Sequence, residues 1–556
     1  MELHVLVDFP DDALTAGFPL DRRHVDGMMR VLRDLGVSRV RWAYYADEQG
    51  GRVFPDGLVD GRSQYAHLAA TYRDLGSPLR TAAECAHRHG LEIFGYFKPY
   101  EGGALPLPEG SEEAKRYGLI SHLGGPIAWA DPFVVQHPHL RIRRRQDDAA
   151  ARPSDAPVCS LRLVKKDAAP TRVTKDRLQI WTSPDNGRYE QREIPFPLDE
   201  DLEPAPENVY DVEGNLLTPK GAPRRVLTLS GFSLADRYLL VTTDFADGPG
   251  DFANSGLELI RARDATGAVI PGSFATGRAV WMSGRVDFRR WGLIYDYGWT
   301  GRLTTLDAPN AKGRQGLIAY TRGRNEFLTG ALCETEPAVM EFWLSRVREM
   351  LDAGVDGVEF REENHSTHTD FPSDYGFNDC VLRACREREL PVSPETVAEV
   401  RGEAYTQWLR RARRLVSSRG KKMSYNLNMD WFRPDRPPAR ALAYPAHIRF
   451  QWRQWLAEGL LDESTLRAYA LRRAMLTDEV GRDMVQVCRD RGLPVYYNHH
   501  VFSDDPWYFE EARRVLRDGR FAGLILYEAN NFLAYEPDGR VGVRLPGIEK
   551  IASLAG

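Results

Sequence analysis

The sequence predicts an α/β fold, a (β/α)8 TIM barrel with a large β-sandwich-like domain inserted after the third barrel strand. Eight short segments rich in apolar and β-branched residues begin near residues 4, 38, 92, 355, 423, 463, 494 and 521. Segments with helical periodicity lie between them, which is typical of parallel βα units. This alternation stops between about residues 101 and 310, where short strands and turn sequences replace it.

The first three barrel strands are predicted in the first hundred residues. They are HVLVDF at 4–9, VSRVRWAYY at 37–45 and LEIFGYFKPY at 91–100. Helices are predicted at 21–35 and 65–90, and Gly36 and Gly90 follow them as C-terminal stops.

The middle of the chain has a different pattern. Runs such as RLQIWTS and RYLLVTT stand among turn signals such as PDNG, which is typical of a β-sandwich. We therefore predict three parts: residues 1–150 with barrel strands one to three, 151–315 as the inserted domain, and 316–556 with strands four to eight. Four tryptophans of the insert could stack on sugar faces, although filling the sandwich core is the favoured interpretation. They are Trp181, Trp281, Trp291 and Trp299.

The βα alternation resumes with a predicted helix at 337–352. Strand four follows it in VDGVEFREEN (355–364), where a buried run enters a group of charged residues. Later strands are predicted in MSYNLNMDW, LDESTLRAY, PVYYNHHVF and FAGLILYEA. Later helices are predicted at 395–419, 449–459, 478–490 and 506–517, and Asp505-Pro506 is a strong start for the last of these.

Composition excludes several classes of partner. The 556 residues are 42% hydrophobic and 28% charged, with a net charge of -5. No basic run is interleaved with aromatics as nucleic-acid binding requires, and no apolar run reaches the length of a membrane span. Six cysteines are too few for a disulfide framework, so we expect reduced thiols. No cofactor is expected, and homo-oligomer formation is left open.

Localisation is expected to be cytoplasmic by default. The chain begins as a strand, with no charged segment leading into an apolar leader. A trimmed secretion signal is the alternative.

The active site of such a barrel lies at the C-terminal ends of its strands. Every predicted strand ends in polar or aromatic residues, a set that suits a polyhydroxylated ligand and predicts a carbohydrate substrate. The candidate substrate-binding residues are Asp8, Arg41, Trp42, Tyr44, Lys98, Arg361, Asn364, Asn426, Asn428, Asp430, Tyr469, Asn498 and His499.

Three glutamates are the candidate catalytic residues: Glu359, Glu363 and Glu528. Glycoside hydrolysis uses two carboxyls, roughly 5 Å apart for retention or about 6.5–9.5 Å for inversion. Glu359 and Glu363 are two pleats apart, about 13 Å along an extended strand. A partner from another strand is therefore favoured, first Glu528 and then Asp430. For Asp8 we favour a buried acid that bonds loop amides.

Three segments carry a family resemblance. VDGVEFREEN, FQWRQWLAEGLLDESTLRAY and HPHLRIRRR resemble the fourth strand, the segment before the sixth strand and the stretch after the third strand of glycosyl-hydrolase-like family 10 barrels. The resemblance covers roughly 1–150 and 320–540 and implies a TIM barrel and a carbohydrate-active enzyme. This chain differs in having Arg361 and Glu362 where those barrels usually carry two aspartates.

Two other functions are left open. ENHSTHTD offers Glu363, His365 and His368 to a metal-dependent hydrolase, although strand one lacks an HxH pair. A non-catalytic sugar-binding barrel is the third interpretation, because Arg361 stands where an acid is expected.

Overall fold

The computed structural model confirms a closed barrel of eight parallel strands. It describes residues 1–44, 52–53, 66–102, 129–148, 154–185, 189–210, 216–243, 259–276, 317–362, 369, 371–428, 447–467, 479–501 and 503–555. The barrel strands are β1 (Glu2–Val7), β2 (Arg39–Ala43), β3 (Glu92–Phe97), β4 (Gly357–Arg361), β5 (Lys422–Asn428), β6 (Glu463–Arg467), β7 (Val495–His500) and β8 (Gly523–Tyr527).

Each strand pairs in parallel with the next, and β1 pairs with β8 to close the barrel. Glu2 lies opposite Gly523 and Val5 opposite Leu526 in that closing pair. The closure places the C-terminal ends of β1 and β8 side by side. All eight strands fall where the sequence predicted them.

Helices surround the barrel. They are α1 (Phe9–Ala16), α2 (Arg22–Asp34), α3 (Ala66–Leu75), α4 (Pro78–Arg88), α5 (Pro132–Gln136), α6 (Pro337–Asp352), α7 (Asp379–Glu387), α8 (Pro394–Ser418), α9 (Trp452–Ala457), α10 (Glu479–Arg489), α11 (Pro506–Arg517) and α12 (Gly547–Ala555). The helix predicted at 65–90 is in fact two helices. Gly76 takes a φ of 70° between them, and the Ser77 side chain accepts from the Arg80 N–H to start α4.

Two larger antiparallel sheets lie in the described middle of the chain. One has four strands, in the order Leu198–Pro204, Pro223–Leu229, Ser160–Val164 and Leu259–Arg263. The other has five strands, in the order Gly272–Thr276, Leu317–Arg322, Tyr238–Thr243, Leu178–Ser183 and Glu190–Arg192. Side chains of both sheets, among them Leu227 and Leu239, share a hydrophobic cluster separate from that of the barrel.

The division at 150/151 and 315/316 stays a prediction, as does the role of the four tryptophans. Trp181 is partly buried, and its indole N–H donates to Thr242 Oγ1 at 3.0 Å. Trp281, Trp291 and Trp299 lie outside the described residues.

Along the sequence, the two strands of an antiparallel pair flank the region of these sheets and separate it from the barrel strands. Arg141–Arg143 pairs with Phe327–Leu332, with Arg143 opposite Phe327 and Arg141 opposite Leu332. The pair therefore holds together the two points where the chain enters and leaves the region of the sheets.

Charged residues fill the lower interior of the barrel. The Arg39 guanidinium lies 2.6 Å from a Glu92 oxygen and 2.7 Å from a Glu463 oxygen, and Arg41 reaches both Glu463 and Glu359. Arg39 and Arg41 thus point inward, so Trp42 between Arg41 and Ala43 points outward toward the helices. Among the described helices, none is long and apolar enough to cross a membrane.

Candidate active site

Three carboxyl groups meet at the mouth of the barrel, where β1 and β8 end. Asp8 follows β1, Asp11 lies in the first turn of α1, and Glu528 follows β8. Each contributes one oxygen to a group in which all oxygens lie within 4.8 Å of one another. Asp8 and Asp11 are buried, whereas Glu528 is partly exposed. Three oxygens at this spacing could also serve as ligands of a divalent cation.

Local hydrogen bonds fix the position of this cluster. The backbone N–H groups of Asp11 and Asp12 donate to the Asp8 carbonyl at 2.9 and 3.2 Å, which starts α1 directly after β1. The Tyr96 hydroxyl donates to Asp8 Oδ2 at 3.1 Å. Asn531 Nδ2 donates to Glu528 Oε2 at 3.3 Å. The Asp8 carboxyl is therefore held by Tyr96 on β3, and the Glu528 carboxyl is held by Asn531 beyond β8.

The cluster cannot ionise fully. Burial, followed by the negative charge of Asp8, raises the pKa of Glu528 from 4.5 to about 7, although Arg467 and Lys98 oppose the rise. Burial, Asp8 and Glu528 likewise raise the pKa of Asp11 well above its usual range. Like charges in a low-dielectric site disfavour double ionisation. One or more of these carboxyls therefore keeps a proton near neutral pH.

Glu528 also has an unusual backbone. Its φ is 60° and its ψ is 95°, values that residues with a Cβ rarely adopt. Such strain costs about 1–3 kcal/mol and occurs mainly where a functional group must be held in one direction. The strain supports a functional role for the Glu528 carboxyl.

Glu359 lies further inside the barrel and is fully buried. Arg361 Nε donates to its Oε1 at 2.9 Å and Thr465 Oγ1 to its Oε2 at 3.0 Å, and Arg41 also donates to it. Burial alone would raise the pKa of Glu359, but Arg41 and Arg361 outweigh it and hold the pKa below its usual value. Glu359 is thus an ionised ion-pair partner, separate from the mouth cluster.

Arg361, Asn426 and Asn498 are also brought to the barrel interior. Arg361 lies opposite Asn426 in the register of β4 and β5. All three side chains are at most 3% exposed. The Arg361 guanidinium lies over the Tyr96 ring, with its carbon 4.1 Å from the ring centre, so Arg361 supports the tyrosine that bonds Asp8.

Three of the predicted site residues point toward the helices. Trp42 stacks on Phe9 with ring centres 4.7 Å apart, and the Tyr44 hydroxyl donates to Glu349 on α6 at 2.7 Å. His499 Nε2 lies 2.9 Å from the Tyr508 carbonyl on α11. All three face the helices, because they alternate with residues that point into the barrel.

The remaining candidates divide into two groups. Lys98 Nζ lies 3.6 Å from Glu101 Oε2 near the mouth, and the Asn428 N–H donates to Glu362. The others lie outside the described residues: Glu363, Asn364, Asp430, Tyr469 and, from the metal hypothesis, His365 and His368.

Sequence reasoning missed Asp11. The predicted strand HVLVDF ends at Phe9 and no element was predicted directly after it, although an acid three residues after Asp8 lies on the same side if a helix starts at once. Recognising α1 in FPDDALTA would have placed Asp11 beside Asp8.

Comparisons with solved structures show similarity to TIM-barrel glycoside hydrolases at low scores. The catalytic domain of a β-amylase from Paenibacillus polymyxa has a TM-score of 0.37 and 8% identity, with 100% of this chain and 98% of that chain covered. An α-galactosidase from Lactobacillus brevis has a TM-score of 0.34 and 7% identity, covering 100% of this chain and 40% of that one. An α-amylase from Malbranchea cinnamomea has a TM-score of 0.34 and 8% identity, covering 100% and 76%.

No family model matches the chain, and no curated protein matches its sequence. The assignment of the barrel therefore rests on the strand order and register of this chain itself.

Proposed function

We propose that this chain is a glycoside hydrolase that cleaves a poly- or oligosaccharide at the C-terminal mouth of the barrel. One observation carries the proposal: the Asp8 and Glu528 carboxyls meet with oxygens within 4.8 Å, and the pKa of Glu528 is raised to about 7. Glycosidic cleavage needs two carboxyls of which one keeps its proton at neutral pH.

Glu528 is the proton donor in this proposal. It is the partly exposed member of the cluster, and its protonated form gives a proton to the oxygen of the departing sugar. The Tyr96 hydroxyl donates to Asp8 Oδ2 and so holds that carboxyl in one orientation. Asp8 then attacks the anomeric carbon, and Glu528, now ionised, removes a proton from the water that releases the sugar. Because their oxygens lie within 4.8 Å of each other, the two carboxyls are closer than the roughly 6.5–9.5 Å of inverting enzymes, which favours a retaining reaction.

Glu359 takes a positioning role. Its ion pair with Arg361 holds the guanidinium over the Tyr96 ring, and Tyr96 in turn bonds Asp8. This differs from the role expected from the sequence, because an ionised carboxylate with a lowered pKa has no proton to donate. Glu363 remains a candidate catalytic residue.

The test compares Glu528→Gln, Asp8→Asn, Glu359→Gln and Glu363→Gln on a panel of oligosaccharides and aryl glycosides. We expect Glu528→Gln to lower kcat by about 10²–10⁴-fold, the usual contribution of a general acid. Glu458→Gln, which removes a surface partner of Arg410, serves as the control and should keep full activity. Full activity of Glu528→Gln or Asp8→Asn would contradict the proposal.

The same experiments separate the other two functions. The hydrolase proposed here should keep its activity after treatment with a chelator, whereas loss of activity together with a bound metal in elemental analysis would favour a metal-dependent hydrolase. Tight glycan binding in calorimetry without turnover on the whole panel would favour a sugar-binding barrel.

A further inference from the structure

Buried hydrogen-bonding groups without a partner lie on strands β4, β5 and β7 of the barrel. Within the described part of the chain, Arg361 Nη1 and Nη2, Asn426 Nδ2, and both Asn498 side-chain atoms lack a hydrogen-bond partner. Arg361 and Asn498 are 1% exposed and Asn426 is 3% exposed. Buried polar atoms are nearly always paired in native proteins, so this set indicates a bound molecule.

These groups lie together on strands β4 to β7. Arg361 is the register partner of Asn426, and Asn498 is the register partner of Arg467. The guanidinium carbons of Arg361 and Arg467 lie 5.7 and 4.4 Å from the centre of the same Tyr527 ring. The Tyr527 ring therefore brings both guanidinium groups to one region just below the mouth.

The chemistry of the set favours an acidic group. Arg361 uses Nε for Glu359, which leaves Nη1 and Nη2 as a two-pronged donor that matches a carboxylate. Two amide N–H₂ groups add further donors, and Asn498 Oδ1 is the one acceptor. A neutral sugar hydroxyl would accept a hydrogen bond from one donor at a time, whereas the two oxygens of a carboxylate can accept from Nη1 and Nη2 of Arg361 together.

A second guanidinium group lies beside that of Arg361. Within the barrel, Arg39, Arg41 and Arg361 are matched by Glu92, Glu359 and Glu463. Arg467 adds a further positive charge beside Arg361. The carboxyl cluster lies at β1 and β8 instead. A sugar could thus place an acidic substituent toward Arg361 while its glycosidic bond faces Glu528.

We propose that the sugar bound in this barrel is a uronic acid, whose carboxylate is held by Arg361, Asn426 and Asn498. The proposal rests on the glycoside hydrolase function given above and names its substrate class. It also gives a function to Arg361, the residue at which this chain departs from the barrels it resembles.

Binding is tested first, because it does not require turnover. Calorimetry on the full chain would compare glucuronate and galacturonate with glucose, galactose and glucosamine. We expect the uronates to bind at least roughly tenfold more tightly than their neutral counterparts, as a charge-assisted fork requires. Asn426→Ala and Asn498→Ala should reduce this preference while leaving the Arg361–Glu359 ion pair in place.

Hydrolysis is tested second, with a uronic-acid oligosaccharide and its carboxyl-reduced form. Arg361→Lys keeps the charge but loses the fork, so the ratio of kcat/KM for the acidic and reduced substrates should fall by roughly tenfold. Arg410→Lys, in a surface ion pair with Glu458, is the matched control and should leave the ratio unchanged.

The outcomes separate the two proposals. Equal or better binding of neutral sugars or glucosamine, or an unchanged preference in the Arg361 and Asn498 variants, would overturn the uronic acid proposal. Uronate binding without hydrolysis of any substrate would support the acidic subsite and contradict the hydrolase. Cleavage of neutral glycosides without uronate binding would support the hydrolase and contradict the acidic subsite.

Discussion

Glu528 combines a strained backbone with a carboxyl whose pKa is raised to about 7. Both features cost stability, and both are explained if the residue is held for proton donation. Residues that serve a function are often the ones whose replacement makes a protein more stable. The position therefore allows two tests at the scale of one residue.

The first test separates strain from charge. Glu528→Gly removes the carboxyl and relieves the positive φ, so we expect the free energy of unfolding to rise by about 1 kcal/mol or more and activity to be lost. Glu528→Ala removes the same carboxyl but keeps the Cβ. Urea titrations should rank the glycine variant above the alanine variant in stability. Equal stability of the two would contradict the role assigned to backbone strain.

The second test is the pH dependence of kcat/KM. A proton donor with a pKa of about 7 loses its proton as the pH rises, so activity should fall above pH 7. Lys98 and Arg467 lower this pKa, while Asp8 raises it. Lys98→Gln should therefore shift the alkaline limb to higher pH, and Asp8→Asn should shift it lower in any residual activity. If Lys98→Gln leaves the alkaline limb of the kcat/KM profile at the same pH, Glu528 is not the group whose ionisation causes that limb.

For the individual elements, the sequence predicted the positions of the strands better than it predicted which side chains of each strand point into the barrel. All eight barrel strands were predicted, because each is a short buried run between helical patterns. Barrel strands are buried on both faces, so polarity does not reveal which side chains point inward. Here charged residues such as Arg41 and Glu359 fill the interior while Trp42 faces helices. Among the predicted site residues, Arg361 and Asn498 point into the barrel, whereas Trp42 and His499 point toward the helices.

Trp42 provides the test of this alternation. Because it stacks on Phe9 between β2 and the helices, Trp42→Ala should cost about 3–5 kcal/mol of stability. The kcat/KM per folded molecule should change little, since the side chain does not reach the mouth. Denaturant titration and assay at low temperature measure the two quantities. If Trp42→Ala lost activity but kept full stability, the result would indicate that Trp42 contacts the substrate.

For the whole molecule, carboxyls with raised pKa values and carboxyls with lowered pKa values change the free energy of unfolding in opposite directions as the pH rises. The pKa values of Glu528, Asp11 and Asp12 are raised on folding, whereas those of Glu359 and Glu463 are lowered. Between the ordinary value of 4.5 and about 7, the unfolded chain releases protons that the folded cluster retains. The contribution of the cluster to stability therefore falls as the pH rises through this window.

The contribution of Glu359 and Glu463 has the opposite sign. It is present above their ordinary pKa and is lost as the pH falls below it. Buried histidines act in the same window with the opposite sign, because burial holds the pKa values of His4, His499 and His500 below 6.5 and stability from them increases as the pH rises toward 6.5. The cluster is therefore tested by difference: the stability of Asp11→Asn relative to the original chain should increase as the pH rises from 5 to 7 in urea titrations. A difference that stays constant between pH 5 and pH 7 would contradict the raised pKa of Asp11.

The separate hydrophobic clusters of the barrel and of the central sheets give a further whole-molecule expectation. If residues 151–315 are a domain, calorimetry should show two unfolding transitions, because few apolar contacts would couple the two cores. Addition of a bound sugar should raise the midpoint of the barrel transition alone. A single transition at all pH values would contradict this division.

The antiparallel pair of Arg141–Arg143 with Phe327–Leu332 has a consequence for how the gene can change. Because it brings the outgoing and returning chain to adjacent positions, the barrel needs only a short bridge there, whatever lies beyond. If residues 151–315 are a domain, evolution can lengthen, shorten or exchange it without altering the spacing of the eight strands. Protein engineers could use the same position to attach a different module to the barrel.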